Sequence, residues 1–225
     1  MIVSEFLEQT NWAYRANDDD APVENVGDWA MWLGTANRKI AEYARDTKVT
    51  RQSLFEVRPV GTVSASNQSY DLDDDFLDPS DEVIVTTTDG HEVDFTIIKP
   101  QERNRFRHNN RVYVSGRDPQ ILTFVDTISS TSQIVGGAIT MGGFYMPDPL
   151  SGPNDVIPCD DPYWLVMATA AELAGNDLTY ESKAPDLVAK ANNLWAQMQA
   201  NNRRGTSSNP RTSPTSVTRI PGARR

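Results

Sequence analysis

Glu82-Val-Ile-Val-Thr-Thr-Thr-Asp-Gly-His-Glu-Val-Asp-Phe-Thr-Ile97 is the stretch on which the fold turns. Val83, Val85 and Thr87 alternate with Ile84, Thr86 and Thr88. Beyond Asp89-Gly90, Val93, Phe95 and Ile97 alternate with Asp94 and Thr96. Alternation on both sides of Asp-Gly predicts a β-hairpin, because a two-residue primed turn needs positive φ. Further short β-type runs lie at Ser53–Val57, Arg111–Ser115, Gln120–Val125 and Gln133–Tyr145. The last holds Gly136-Gly137 and Gly142-Gly143, which predict bulges or a sharp bend. Residues 50–146 therefore read as about five to seven antiparallel strands in a small sandwich or barrel.

Outward from this insertion the apolar period becomes helical. Ile2 to Asn17 spaces Val3, Phe6, Leu7, Ala13 and Tyr14 along one face, and Asp18-Asp19-Asp20 with Pro22 end the run. From Asp28, an expected N-cap, Trp29, Trp32, Leu33, Ala36, Ile40, Tyr43 and Ala44 form a stripe. Arg38, Lys39, Glu42 and Arg45 fall mostly on the other face. Five prolines from Pro147 to Pro162 mark a joint. Asp161-Pro162 then reads as an N-cap with proline at the first helical position. Leu165, Ala168, Thr169, Glu172 and Leu173 carry that helix to Gly175-Asn176. A fourth helix, about Ser182 to Asn201, has Leu187, Val188, Ala191, Leu194, Trp195 and Met198 as its stripe. The five tryptophans (Trp12, Trp29, Trp32, Trp164, Trp195) all fall in these helices and are the expected anchors of one helical layer. The reading is an α+β fold: a four-helix layer from residues 1–49 and 147–201, an antiparallel β insertion at 50–146, and an extended C-terminal arm at 202–225.

Charge divides the chain differently. Residues 1–201 hold 15 basic and 31 acidic side chains, −16, whereas 202–225 hold six arginines and no acid, +6. A body this acidic repels nucleic acid unless a local patch is reversed. The arm carries Arg203, Arg204, Arg211, Arg219, Arg224 and Arg225, with Val217 and Ile220 as its sizeable apolar groups. Too polar to build a core, it suits best a segment that orders on a protein partner; a disordered solubilising end and a nucleic-acid contact stay open beside it, the latter weakened by the lack of an aromatic residue to stack on a base. No apolar run approaches the roughly 18 residues of a membrane helix, and Met1–Arg15 has no signal-peptide core.

Candidate chemistry is thin. His91 and His108 sit in or beside predicted hairpins, without a Gly-x-Ser-x-Gly elbow to complete a triad. Cys159 has no Cys-x-x-Cys partner and reads as a buried structural thiol. Asp71, Asp73, Asp75 and Glu82 match positions 1, 3, 5 and 12 of a calcium loop. Phe76, however, stands where that loop needs glycine, and proline and β-type residues flank the segment. No enzyme activity, metal or cofactor is expected. Asp71–Glu82 holds seven acids and no base, while Arg103, Arg105, Arg107 and Arg111 stand together without an acid. Beyond two solvated loops, this pair suggests a head-to-tail contact of Asp71, Asp73, Asp74 and Asp75 with the basic loop of the next subunit.

Three stretches give the chain a resemblance to the bacteriophage head-to-tail adaptor family, also called head–tail connectors or, in short-tailed phages, tail tubular protein A. Trp29-Ala-Met-Trp32-Leu33-Gly-Thr-Ala36-Asn37-Arg38-Lys-Ile40 is similar to the family's leucine-x-asparagine-alanine helix. Tyr70-Asp-Leu72-Asp73-Asp-Asp75-Phe76 is similar to its tyrosine-x-leucine-proline-x-aspartate-phenylalanine stretch, with Asp73 in place of the proline. Phe144-Tyr145-Met-Pro147-Asp148-Pro149-Leu150, Asp155-Val-Ile157-Pro158 and Tyr163-Trp-Leu165-Val166-Met-Ala168 are similar to its last strand, aspartate and Ile-Pro turn, and following helix. Ser151–Asn154 look like a short insertion.

The resemblance implies a non-enzymatic virion protein at the portal vertex, made in the host cytoplasm. It would form a ring, of twelve subunits in the usual case, between the portal protein and a tail, nozzle or stopper protein. DNA would pass through the lumen without sequence-specific binding, and the basic arm would dock on the portal. Two other classes remain open at the level of residues. One is a carbohydrate- or ligand-binding β module on a helical scaffold; the other is a hydrolase using carboxylates among Asp71, Asp73, Asp75 and Glu92.

Overall fold

The computed structural model describes residues 1–15, 26–49, 51–105, 110–117 and 119–207, without the side chains of 26–28, 81–82 and 203–207. Four α-helices and seven strands are assigned among them. α1 (Val3–Arg15), α2 (Val26–Arg45), α3 (Pro162–Gly175) and α4 (Ala184–Ser207) form the helical layer. α3 lies at its centre, in contact with each of the other three. That position explains a sequence apolar almost all round, with Trp164, Leu165, Val166, Ala170, Leu173 and Ala174 buried. Asp161 caps it as expected, its carboxylate accepting from the Tyr163 and Trp164 N–H groups at 3.0 and 3.4 Å. Asn176 forms the C-cap.

The stripes of α1 and α2 bury as read. Val3, Phe6, Leu7, Ala13 and Tyr14 are covered on α1, and Trp32, Ala36, Ile40, Tyr43 and Ala44 on α2. α2 begins at Val26, so Asp28 lies within its first turn and is not the N-cap. A 3-10 turn, Glu181–Lys183, precedes α4, and α4 continues through Ser207, past the expected end at Asn201. The tryptophan expectation holds for an aromatic knot in which the Trp164 and Trp195 rings lie 4.7 Å apart, with Tyr43 6.0 and 6.5 Å from them. It fails at Trp12, which is 73% exposed, because α1 turns Glu5, Glu8 and Trp12 away from α3.

The insertion is one sheet: β1 (Phe55–Thr62), β2 (Ser69–Asp71), β3 (Phe76–Thr86), β4 (Glu92–Ile97), β5 (Arg111–Ser115), β6 (Ile121–Phe124) and β7 (Ala138–Tyr145). Their order is β1-β7-β3-β4-β5-β6-β2. The end strands β1 and β2 approach one another, so the sheet curls into a nearly closed barrel. Inward residues alternate as read: Val83 and Val85 on β3, with Ile139 and Met141 on β7, are fully buried. Edge-on contacts of Phe124 with Tyr70 and Phe95 fill the far end of the core.

Three expectations change here. The β3–β4 connection is a longer loop closed by Thr87 N–H to the His91 carbonyl at 2.8 Å, with Gly90 at φ +81 supplying the left-handed residue. β4 and β5 pair in parallel, since the chain crosses over through the 3-10 turn Pro100–Glu102 before re-entering the sheet. The acidic stretch is strand, turn and strand instead of a loop: β2 ends at Asp71, and β3 starts at Phe76 with irregular pairing between Pro79 and Val83. That irregularity lies opposite Gly142, so the bulge predicted at the glycine pair is carried by β3. The glycines themselves make room for rings. A Cβ on Gly143 would stand 2.6 Å from Phe76 and one on Gly142 3.0 Å from Phe55.

Candidate functional site

The two parts meet at a polar seam, and its residues explain the motif positions. Arg51 is 6% exposed. It donates to the Ala44 carbonyl at the end of α2 (2.6 Å) and to Asp78 of β3 (2.9 Å), and it lies 4.6 Å over the Phe144 ring of β7. One guanidinium therefore ties helix, strand and strand together, which suits Arg better than Lys because its donors fan out in a plane. Next to it, the Asp160 carboxylate accepts the Gln52 and Ser53 N–H groups at 2.9 and 2.7 Å and caps the 3-10 turn that leads into β1. The Asp160 N–H in turn donates to the Tyr43 hydroxyl at 3.2 Å. Burial raises the Tyr43 phenol above its ordinary value, so it stays neutral.

Asn37 is the polar member of the α2 motif. Its amide donates to the Leu150 carbonyl at 3.1 Å and accepts the Leu150 N–H at 2.8 Å, closing a two-bond clip on the returning chain. Asp155 shapes the next turn by accepting the Ser151 and Gly152 N–H groups, both at 2.8 Å. These hydrogen bonds from Gly152 and Ser151 hold its carboxyl below the usual range. The turn then offers the Asp155 and Pro153 carbonyls to the otherwise unpaired Val3 and Ser4 N–H groups of α1, at 2.9 and 3.0 Å. The residues 151–154, which resemble an insertion, thus cap the first helix.

At the mouth of the barrel the acidic segment is organised around a base that the sequence did not flag. Arg58 of β1 donates to Glu56 (2.7 Å), Asp75 (2.9 Å) and Asp73 (3.3 Å), and sits 3.8 Å over the Tyr145 ring. These acids, Glu56 foremost, raise its pKa against the opposing effect of burial. Asp73 stands where the resembled motif has proline, and its side chain takes up this pairing. The calcium-like spacing is therefore wound around a guanidinium. Among the described residues no group of three or more His, Cys, Asp or Glu is placed to hold a metal ion.

The other predicted site residues are placed as follows. Asp71 and Asp74 are exposed beside the Arg58 cluster, and Arg103 and Arg105 are exposed after the Pro100–Glu102 turn. Arg111 opens β5, paired with Thr96 of β4. Arg107 lies outside the described residues, as do Arg211, Val217, Arg219, Ile220, Arg224 and Arg225. Arg203 and Arg204 fall within α4, so the helix takes the first two arginines assigned to the arm. His91 is exposed in the hairpin loop and His108 lies outside the described residues. Cys159 is buried, and that burial pushes its thiol up to about 12, far from a reactive thiolate.

Asn37, Arg51 and Arg58 are the contact-forming residues that patterning missed. A signal for Asn37 exists, a polar residue wedged between the stripe positions Ala36 and Ile40. For Arg58 there is none within its own run.

No helix among the described residues is long and apolar enough to cross a membrane. Residues 3–219 match the model of the family described as SU10 adaptor protein, a match that takes in both helical segments and the whole barrel. No curated protein matches the chain.

Proposed function

The chain belongs to the SU10 adaptor protein family, a family of phage head-to-tail adaptors, and from that premise we propose that it is a ring-forming protein of the virion neck. Membership makes it a structural virion component that interacts with other head and tail proteins. The finer reading is that copies assemble head-to-tail, twelve in the usual case, between the portal protein and a tail, nozzle or stopper protein. The lumen passes DNA, and the arm from Arg203 to Arg225 docks on the portal.

The observation that carries this reading is the division of charge in a chain matched almost end to end: −16 up to residue 201 and +6 beyond it. An acidic lumen releases no counterions from DNA and so does not hold it. A basic arm with spaced Val217 and Ile220 can order on a partner surface. The exposed Arg103 and Arg105 are suited to meet Asp71 and Asp74 of a neighbour, since Asp73 and Asp75 already share Arg58.

Native mass spectrometry of the chain with its portal tests the proposal. The full chain forms a ring on the portal. A chain ending at Ser207, which keeps α4 whole, loses portal binding if the arm docks there. Reversal of Arg103, Arg105 and Arg107 to Glu leaves a folded chain without the ring. Rings that persist in both variants would refute the arm and the charge contact, and a chain that ignores the portal would refute the role.

A further inference from the structure

The barrel does not close evenly. Among the described residues β1 pairs with β7 and with no other strand, so its opposite edge is open. β2 comes up to that edge toward the far end of β1, where Tyr70 stands against Gly61 and its hydroxyl accepts the Ser64 N–H at 3.1 Å. β2 stops at Asp71, and the chain turns through Asp73 and Asp75 into β3. No strand pairs with Phe55–Pro59 on this side, and Arg58 reaches across the slot to Asp73 and Asp75. Phe55 and Val57 stand 42% and 63% exposed there. A cavity of about 430 Å³ opens beside them, with Glu56, Arg58, Asp75, Tyr145 and Asp148 in its wall. The slot is acidic: Glu56, Asp73 and Asp75 share one guanidinium, and Asp71, Asp74 and Asp148 add to them.

We propose that residues 215–220 of the same chain add a strand to this edge of β1. An open edge offers a row of backbone donors and acceptors, and an extended segment supplies the matching row. Thr215-Ser-Val217-Thr-Arg219-Ile220 suits it: six residues, four of them β-branched, bounded by Pro214 and Pro221. Val217 and Ile220 offer apolar cover for Phe55 and Val57. Pro59 has no N–H to give, which confines the added ladder to the residues before it. Charge selects this occupant. Residues 208–225 hold Arg211, Arg219, Arg224 and Arg225 and no acid, whereas a second barrel brought edge to edge would set like acids against each other. Reach allows it. The Asn202 amide donates to the Thr47 carbonyl at 3.4 Å, so α4 ends by the turn after α2. Ser53, at the head of β1, lies 3.3 Å from the Tyr43 hydroxyl of that same helix. The ten residues from Ser207 to Val217 span up to ~35 Å when extended. The inference rests on the proposed function at one point only. An arm held on β1 must be released to dock on the portal, which leaves Asp71 and Asp74 to Arg103 and Arg105 of a neighbour.

Hydrogen exchange of the free, full-length chain reads the added strand. Val217→Pro removes a donor in the middle of the run and should speed exchange of the β1 amides before Pro59 ~10-fold, with β4 and β5 unchanged. Arg219→Glu should do part of the same, and raised salt should weaken the protection in the natural chain. Circular dichroism verifies that both variants keep the helix and strand content. A second measurement is independent of exchange: Val57→Cys combined in turn with a cysteine substitution at each of residues 215–220. An added strand gives an intramolecular disulfide at one of these positions and not at its neighbours in sequence, because bridged Cα atoms lie ~4.4–6.8 Å apart. Equal exchange in the natural chain and Val217→Pro overturns the inference, and so does the lack of any disulfide. If portal binding is still lost on ending the chain at Ser207, the portal reading then stands without it. Protection that fades on dilution, or disulfides that link two chains, assigns the edge to a neighbour's arm and also overturns it. Arm-dependent protection of β1 with portal binding that survives ending the chain at Ser207 supports the inference and removes the portal docking.

Discussion

The helical layer and the barrel are held together in different ways. The barrel is built from one continuous stretch, half of its strand pairs join sequence neighbours and the rest tie its two ends together, and its interior is apolar apart from the tyrosine hydroxyls. The helical layer is assembled from the two ends of the chain. α3 must find α1 and α2 across the whole insertion, and what registers it there is a set of side-chain-to-backbone bonds from Asn37 and Asp160, with the backbone bonds of Val3 and Ser4 to the Asp155 and Pro153 carbonyls. Backbone ladders close the first, and long-range polar clips close the second. A loop as long as the insertion costs entropy to close, so the barrel, by bringing residues 55 and 144 side by side, prepares the helical layer to form.

Arg51 is where the two regions depend on one another, and removing it is the strongest way to break the comparison. Arg51→Ala strips the bond to Ala44, the pair with Asp78 and the cover over Phe144. Asp78 is partly exposed and can rehydrate, so the expected loss is about 3 kcal/mol, at the low end for a buried ion pair. All five tryptophans lie in helices, so their fluorescence follows the helical layer, while hydrogen exchange on β3 and β7 follows the barrel. In urea the two probes coincide for the natural chain and separate for Arg51→Ala, the helices melting first.

Gly143→Ala attacks the barrel alone. The added methyl meets the Phe76 ring, and the overpacking costs about 2 kcal/mol, read as an earlier loss of exchange protection on β7. Asn37→Ala attacks a helical clip. It leaves the Leu150 N–H and carbonyl without their partner for about 1–2 kcal/mol, seen in the fluorescence transition, with the barrel strands unchanged.

Acid produces the smallest effect. Asp155 is held below its ordinary 3.8 by the Gly152 and Ser151 N–H groups. Glu172, raised by burial, is brought below its ordinary 4.5 by Arg38 and Lys39. Both folded values lie under the unfolded ones, so the unfolded chain takes up protons first as pH falls. Their stabilisation is complete above about pH 4.5 and is lost on descending through the folded values. Asp155→Asn should flatten the acid limb of a plot of melting temperature against pH and leave the neutral plateau nearly level.

How much of this was legible varies by residue. The buried positions of α1 and α2 and both ends of α3 followed from spacing and from Asp161-Pro162 and Gly175-Asn176, because a helix is specified by residues three and four apart and by its caps. The hairpin of Val83–Ile97 was legible for the same local reason, although Gly90 sits in a longer loop than expected. The candidate contacts were harder to read. Asp73 and Asp75 looked like free loop carboxylates until β1 placed Arg58 between them, 15 and 17 positions away in the chain.

The sequence by itself determined the order of the elements, the apolar face of each helix, and the division between acidic body and basic arm, since each is a property of short windows or of composition. Only the tertiary structure decided that β4 runs parallel to β5, that Arg51 is buried at the seam, and that Trp12 faces solvent while α4 leaves a groove open. Each of those depends on which distant surfaces meet and how much area they cover, and sheet closure and helix crossing settle this, not periodicity.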